Sequence, residues 1–280
     1  MQKVTLMREE RSVIDMGYGN LAESFAYDNV GVIDLDNVLS IERFNGTIRR
    51  KSSDDATKKI GRKSTEVYPF KTLDELKLMV DKINEHIKNA HTTYNKKRWY
   101  RNKLIFIVGI NLGIRGSDLC SLKWSDFFYD DYTFRDGIAI QPIKTRNTTG
   151  KYVFLYFNKD VKSAIEEYIS EYPFENLNEY VFFSKTNTSN SGEHISREAL
   201  GKMLKSIAKE CGLRQNVNSH SLRKTFGYRA WHISKDKSET LTKLQRIFGH
   251  ASLRDTQKYI GIEREELAEV FYGFDNDSLY

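Results

Sequence analysis

Four short clusters, well separated along this 280-residue chain, carry the side chains able to do chemistry. The first is Gly113-Ile114-Arg115-Gly116-Ser117-Asp118-Leu119, directly after an apolar stretch. An arginine at such a corner either aims its planar, permanently charged fork into a cleft or caps the next helix against Asp118. The second is Lys144, at the edge of a turn between two β-rich segments, which taken alone reads equally well as a surface lysine. The third is His220-Ser221-Leu222-Arg223, whose i and i+3 spacing puts a titratable ring and a cationic fork on one helix face. The fourth runs from Phe248-Gly249-His250 through Ser252, Asp255 and Thr256 to Tyr259. There a histidine follows a helix-ending glycine, Ser252 and Asp255 can cap the next helix, and Tyr259 stands two turns along it.

Other chemistries lack their residues. The chain has no phosphate-binding G-x-x-x-x-G-K-[ST] loop, no G-x-G-x-x-G, no H-E-x-x-H and no G-x-S-x-G. The histidines are His86, His91, His194, His220, His232 and His250, and none has a second ligand at a metal-binding spacing. No metal and no cofactor is therefore expected. His86 and His91 read as solvated, and His232 as a helix cap.

The elements that must position these clusters are mostly helical. Thr72 with Glu75 forms a capping box ahead of an amphipathic helix with Leu73, Leu76, Met79, Val80, Ile83 and Ile87 on one side. A second helix is expected from about Asn95 to Gly113, with a basic start and an apolar finish. The period changes at 133–157, where two β-rich segments flank RNTTG and predict a hairpin. Helices resume after Asn158 and after Ser196, then at 219–231, 239–249, 253–260 and 262–273. The fold class expected is mainly α with a small antiparallel β-sheet (α+β). Residues 1–65, with five glycines and a polar run at 49–66, read as an N-terminal arm or linker, and 66–280 as the mostly helical domain that holds the four clusters.

Composition sets outer bounds. Two cysteines, Cys120 and Cys211, exclude a disulfide scaffold. The longest purely apolar run, Leu104–Val108, is far short of the ~20 residues that span a bilayer, and the N-terminus has no apolar signal core, so a cytoplasmic chain is expected. The net charge of +6 is modest, but it is segregated. Residues 201–250 hold eleven Lys/Arg against three Asp/Glu, whereas 251–280 hold three against seven. A segregated cationic face suits a polyanionic partner.

Taken in order, the clusters resemble the active-site set of the tyrosine recombinase (phage integrase) family. Leu112-Gly-Ile-Arg-Gly-Ser-Asp-Leu119 stands for the family's T-G-L-R-x-S-E-L box, Lys144 for its hairpin lysine, and His220 and Arg223 for H-x-x-R. Phe248-Gly-His-Ala-Ser-Leu-Arg-Asp-Thr-Gln-Lys-Tyr259 matches L-G-H-x-S-x-x-T-x-x-Y in spacing throughout. Asp118 replaces the commoner glutamate and should still support Arg115. Residues 1–65 are too short and too poor in helical pattern to be the family's DNA-clamping core-binding domain.

The resemblance implies site-specific DNA recombination or integration without metal, through a 3′-phosphotyrosyl intermediate, as in mobile genetic elements. Tyr259 would be the nucleophile, His220 the general base and Lys144 the acid for the leaving 5′ oxygen. Arg115, Arg223 and His250 would hold the phosphate. DNA contacts are expected from Lys96, Lys97, Arg98, Arg101, Lys103, Lys224 and Lys243. The implied partners are double-stranded recombination sites, a homotetramer assembled on them from free monomers, and an accessory DNA-bending or directionality protein; no membrane is involved. A type IB topoisomerase would use the same chemistry to relax DNA. A DNA-binding architectural protein that has lost catalysis would be a third reading.

Overall fold

The apolar run at 104–108 dictates the centre of the fold. It lies in α2, Thr93–Leu112, where Leu104, Ile105, Phe106, Val108, Gly109, Ile110 and Leu112 are all buried. A helix apolar on every side must be surrounded, and α1 (Leu73–Lys88), α4 (Lys159–Glu171) and α6 (Ser219–His232) pack around it. A computed structural model describes residues 66–144, 150, 152–184, 192–262, 268 and 271–273, all within the unit Thr65–Tyr280. The expected arm over 1–65, the hairpin turn at 145–149 and most of the helix expected over 262–273 lie outside them.

The capping box ahead of α1 forms as the sequence implies. Thr72 Oγ1 accepts the Glu75 N–H at 3.1 Å, and the Glu75 carboxylate accepts the Thr72 N–H at 3.3 Å. The apolar stripe is narrower than expected. Leu76, Met79, Ile83 and Ile87 are buried, whereas Leu73, in the first turn, is 61% exposed. His86 is not simply solvated: it stacks on Trp99 at 4.0 Å and its Nε2 bonds Glu210 at 2.7 Å.

Gly113 ends α2 with φ +62°, the left-handed conformation that a Cβ would penalise. The short helix α3, Gly116–Cys120, follows, with Arg115 as its N-cap residue. Strands β1, Gly137–Ile140, and β2, Val153–Tyr156, pair antiparallel, Ile138 opposite Leu155 and Ile140 opposite Val153. Those four face inward, leaving Phe154 and Tyr156 exposed. Asn158 and Ser196 cap α4 and α5, Arg197–Glu210, as the sequence suggests.

A second, smaller core joins α6 to α7, Lys237–Phe248, and α8, Leu253–Ile260. It contains Tyr228, Trp231, Leu241, Leu244, Phe248, Ile260 and Ile262. Gly227 on α6 makes this contact close: a Cβ there would stand 2.5 Å from Ile260 Cγ2 and 2.9 Å from the Phe248 ring. Gly227→Ala should therefore force α8 outward at a cost of about 1–3 kcal/mol. Thermal denaturation checks this, as a lowered melting temperature.

Candidate active site

Each site residue stands at an element end or on a face that the local sequence sets. Arg115 follows the α2-ending glycine. His220 and Arg223 lie in the first two turns of α6, whose N-cap, Asn218, accepts the His220 N–H at 2.8 Å. His250 follows Gly249, the left-handed cap of α7 with φ +65°. Tyr259 is on α8, whose capping box is built by Ser252 and Asp255 as the sequence implied.

Arg223 is the pivot. It is 5% exposed, and it donates through Nη1 to Gly113 O at 2.7 Å and through Nη2 to Phe248 O at 2.9 Å. Its Cζ lies 4.3 Å from the Phe248 ring centroid, the same ring that Tyr259 packs against, and its charge acts on the Tyr259 phenol. One guanidinium thus ties together the ends of α2 and α7. Burial lowers its pKa to about 10, so it stays charged at neutral pH. Arg115, Asp118 and Arg223 line one small cleft with Ile140, Pro142 and Val153 of the hairpin.

The Tyr259 ring sits 5.0 Å from that of His250 and 5.5 Å from that of Phe248, edge-on to both. Burial raises its pKa, and Arg223 and Arg115 oppose that rise. The phenol is therefore held protonated, and its activation needs a base. His250 bonds Thr256 Oγ1 through Nδ1 at 3.1 Å, and its backbone N–H donates to Gln245 O at 3.0 Å. Burial and then Arg223 depress its pKa, with Asp255 opposing. His220 is depressed by burial and then by Arg197, Arg223, Lys224 and Arg115.

A histidine depressed on folding binds fewer protons folded than unfolded. Its contribution to stability is whole above the ordinary value of 6.5 and is lost as the pH falls through its own folded pKa. The chain should therefore melt lower at pH 5.5 than at pH 7.5. A His220→Gln, His250→Gln double variant should lose less over the same interval. Equal losses would contradict the assignment.

Lys144 is exposed beside β1, one residue after Ile143. Asp118 Oδ1 accepts the Ile143 N–H at 2.8 Å, which anchors the base of the hairpin turn to α3, the helix that Arg115 caps. The sequence reading gave Asp118 only the role of supporting Arg115.

In the basic start of α2 one residue is used differently. Arg101 is 4% exposed, and its guanidinium donates to Phe183 O at 2.6 Å and Asn102 Oδ1 at 2.7 Å. It is part of the interior, which corrects its expected DNA contact. Lys103 pairs with Glu167 at 2.6 Å and Lys96 with Glu171 at 3.8 Å, while Lys97 lies over Tyr172 and Phe183 and Arg98 over Trp99. At 1.5 Å per residue, Lys97 is about 24 Å along α2 from Gly113. Lys224 instead stands over the Tyr259 ring at 5.4 Å, and Lys243 pairs with Glu239 at 2.8 Å. Sequence reasoning missed Arg197 and Gln245, and gave Thr256 no role, although the spacing of the last box places Thr256 one turn from Tyr259. Among the described residues no three His, Cys, Asp or Glu side chains gather as a metal site.

Residues 76–266 match the phage integrase family. The chain is 30% identical over 208 residues to the probable integrase/recombinase YoeC of Bacillus subtilis, covering 74% of this chain and 97% of that one. It is 27% identical over 173 residues to tyrosine recombinase XerC of Thermodesulfovibrio yellowstonii, covering 61% of this chain and 53%, about half, of the relative. Among solved structures, XerA recombinase aligns with a TM-score of 0.51 at 22% identity, covering 78% of this chain and 68% of that one. XerH bound to its palindromic difH substrate aligns at 0.51 and 23% identity, covering 75% and 54%. At those identities the structures speak for the fold, a mainly helical catalytic domain with a small antiparallel sheet. A family match over most of the chain, and the clusters of Arg115, Arg223 and His250 meeting beside one tyrosine, agree: the chain belongs to the phage integrase family, the tyrosine-type site-specific DNA recombinases.

Proposed function

We propose that this chain breaks and rejoins double-stranded DNA at specific sites through a covalent bond to Tyr259. The observation that carries this reading is the Tyr259 ring packed edge-on against His250 and sharing the Phe248 ring with Arg223, with Arg115 in the adjoining cleft. The phenolic proton passes to His220, and the oxygen attacks phosphorus in line. The bond from phosphorus to the 5′ oxygen breaks, and that oxygen takes a proton from Lys144. Negative charge growing on the non-bridging oxygens meets the forks of Arg115 and Arg223, with His250 as a further donor. In the reverse direction the 5′-hydroxyl of a partner strand attacks the 3′-phosphotyrosine, and because the bond energy is conserved no ATP is consumed.

Of the lysines expected on DNA, Lys224 and Lys243 lie on the helices that carry the site and are the stronger candidates. The active assembly is a tetramer formed on two duplexes from free monomers, an arrangement that closes because four identical contacts complete a ring. Residues beyond Ile262 would make that contact, since Ile262 itself is buried in its own chain's second core. An accessory DNA-bending protein could set direction, and the chain would work in the cytoplasm wherever its DNA lies.

The test is a pool of nicked suicide duplexes, in which the freed 5′ end diffuses away and traps the adduct. A protein–DNA band resistant to denaturation should form equally with and without EDTA, because guanidinium groups do here what Mg²⁺ does in many other phosphotransfer sites. Adducts that disappear with chelator and return with Mg²⁺ would contradict the proposal. Relaxation of supercoils without strand exchange would favour the topoisomerase reading.

A further inference from the structure

His250 is fastened from two helices at once. From α7, the Gln245 side-chain amide donates to His250 O and to Ala251 O, each at 3.2 Å, and the Gln245 backbone carbonyl accepts the His250 N–H at 3.0 Å. Those bonds hold the backbone of the turn. The ring is held from α8, where Thr256 Oγ1 stands 3.1 Å from Nδ1. Thr256 is fully buried and lies three residues before Tyr259, on the same side of that helix. With Nδ1 engaged, Nε2 is the ring nitrogen left for a substrate oxygen.

The Thr256 hydroxyl carries one proton and has two acceptors within reach, Nδ1 at 3.1 Å and Ser252 O at 3.3 Å. Given to Nδ1, that proton leaves the neutral ring protonated on Nε2 and able to donate there. Given to Ser252 O, it makes Oγ1 an acceptor, draws the ring proton to Nδ1 and leaves Nε2 a bare lone pair. Ser252 O also receives the Thr256 N–H, at 3.4 Å, so its need is already partly met.

We propose that Thr256 is a positioning residue of the site: its hydroxyl, donated to His250 Nδ1, ties that ring to the helix of Tyr259 and fixes the ring proton on Nε2, facing a phosphate oxygen. The inference rests on the reading that His250 is a donor to the scissile phosphate. Because burial and then Arg223 keep the ring uncharged at neutral pH, the tautomer decides whether it can donate at all. Thr256 itself touches none of the reacting atoms.

The test reads the ring directly. In the full chain carrying ¹⁵N-histidine, the His250 imidazole nitrogens, assigned by their loss in His250→Gln, should show Nε2 protonated and Nδ1 bare at pH 7.5. Thr256→Val, which keeps the shape without the hydroxyl, should shift the ring toward the Nδ1–H tautomer, and Thr256→Ser should restore the original one. Single-turnover adduct formation on nicked duplexes at saturating protein should slow about tenfold in Thr256→Val, the worth of about one hydrogen bond, and recover in Thr256→Ser. In the His250→Gln background, Thr256→Val should change nothing further, because its route of action is gone. A threonine that merely supports α8 would slow both backgrounds alike. Nδ1 protonated in the unaltered chain, a tautomer indifferent to Thr256→Val, or a valine effect that persists without His250 overturns the inference. No adduct from the unaltered chain, or full activity in His250→Gln, overturns the reading of the site instead, and the tautomer is read without DNA, so the two failures are separately visible.

Discussion

Tyr259→Phe is expected to bind its DNA as the unaltered chain does and to form no covalent adduct at any pH. The substitution removes one oxygen and keeps the ring, which packs edge-on against Phe248 and His250. What is lost inside the protein is one phenolic hydroxyl within the influence of the Arg223 charge, so the cost in stability is small. Arg223 keeps its bonds to Gly113 O and Phe248 O and so stays in place. A small fall in melting temperature with complete loss of adduct, read by denaturing electrophoresis, is the expected pair of results. An adduct that survives would mean that another nucleophile does the work.

Arg223→Lys should reduce cleavage on the order of 10²-fold or more and also destabilise the chain, because an ammonium cannot replace a fork. In the structure that fork serves two buried carbonyls at once. A lysine can reach at most part of this set, and each buried carbonyl left unpaired costs about 1–3 kcal/mol. Arg115→Lys separates the two roles. Arg115 is half-buried at the N-cap of α3, so the same exchange there should cost a similar factor in cleavage and much less in melting temperature. Single-turnover cleavage beside thermal denaturation checks both. Normal cleavage in either variant would remove the arginines from the chemistry.

The site was legible to the extent that its geometry is local. Glycines 113 and 249 end helices in left-handed conformation, Ser252 and Asp255 start the next one, and the His220–Arg223 spacing is helical. Those signals fix where each side chain leaves the backbone. Contacts between distant segments left no such trace. The bond from Asp118 to Ile143, which carries the hairpin and Lys144 to the α3 corner, spans 25 residues. Arg197 reaches Gly116 across an even longer separation. Arg101 misled for the same reason, since Phe183, whose carbonyl engages it, comes from a later element. Leu73 fits the apolar spacing of α1 and stays exposed, because among the described residues no later element covers the first turn of that helix on its side.

On the proposed mechanism one oxygen, that of Tyr259, becomes bonded to the DNA. The direct measurement is to trap the adduct on a nicked duplex, digest it with nuclease and trypsin, and find by mass spectrometry the peptide that bears the residual nucleotide. Cleavage after Lys258 makes Tyr259 the first residue of its peptide, which ends at Arg264. The account requires the added phosphonucleotide mass on that peptide, with fragmentation placing it on Tyr259. The same mass on any other residue, or an adduct-free digest from a chain that still cuts the duplex, would contradict it.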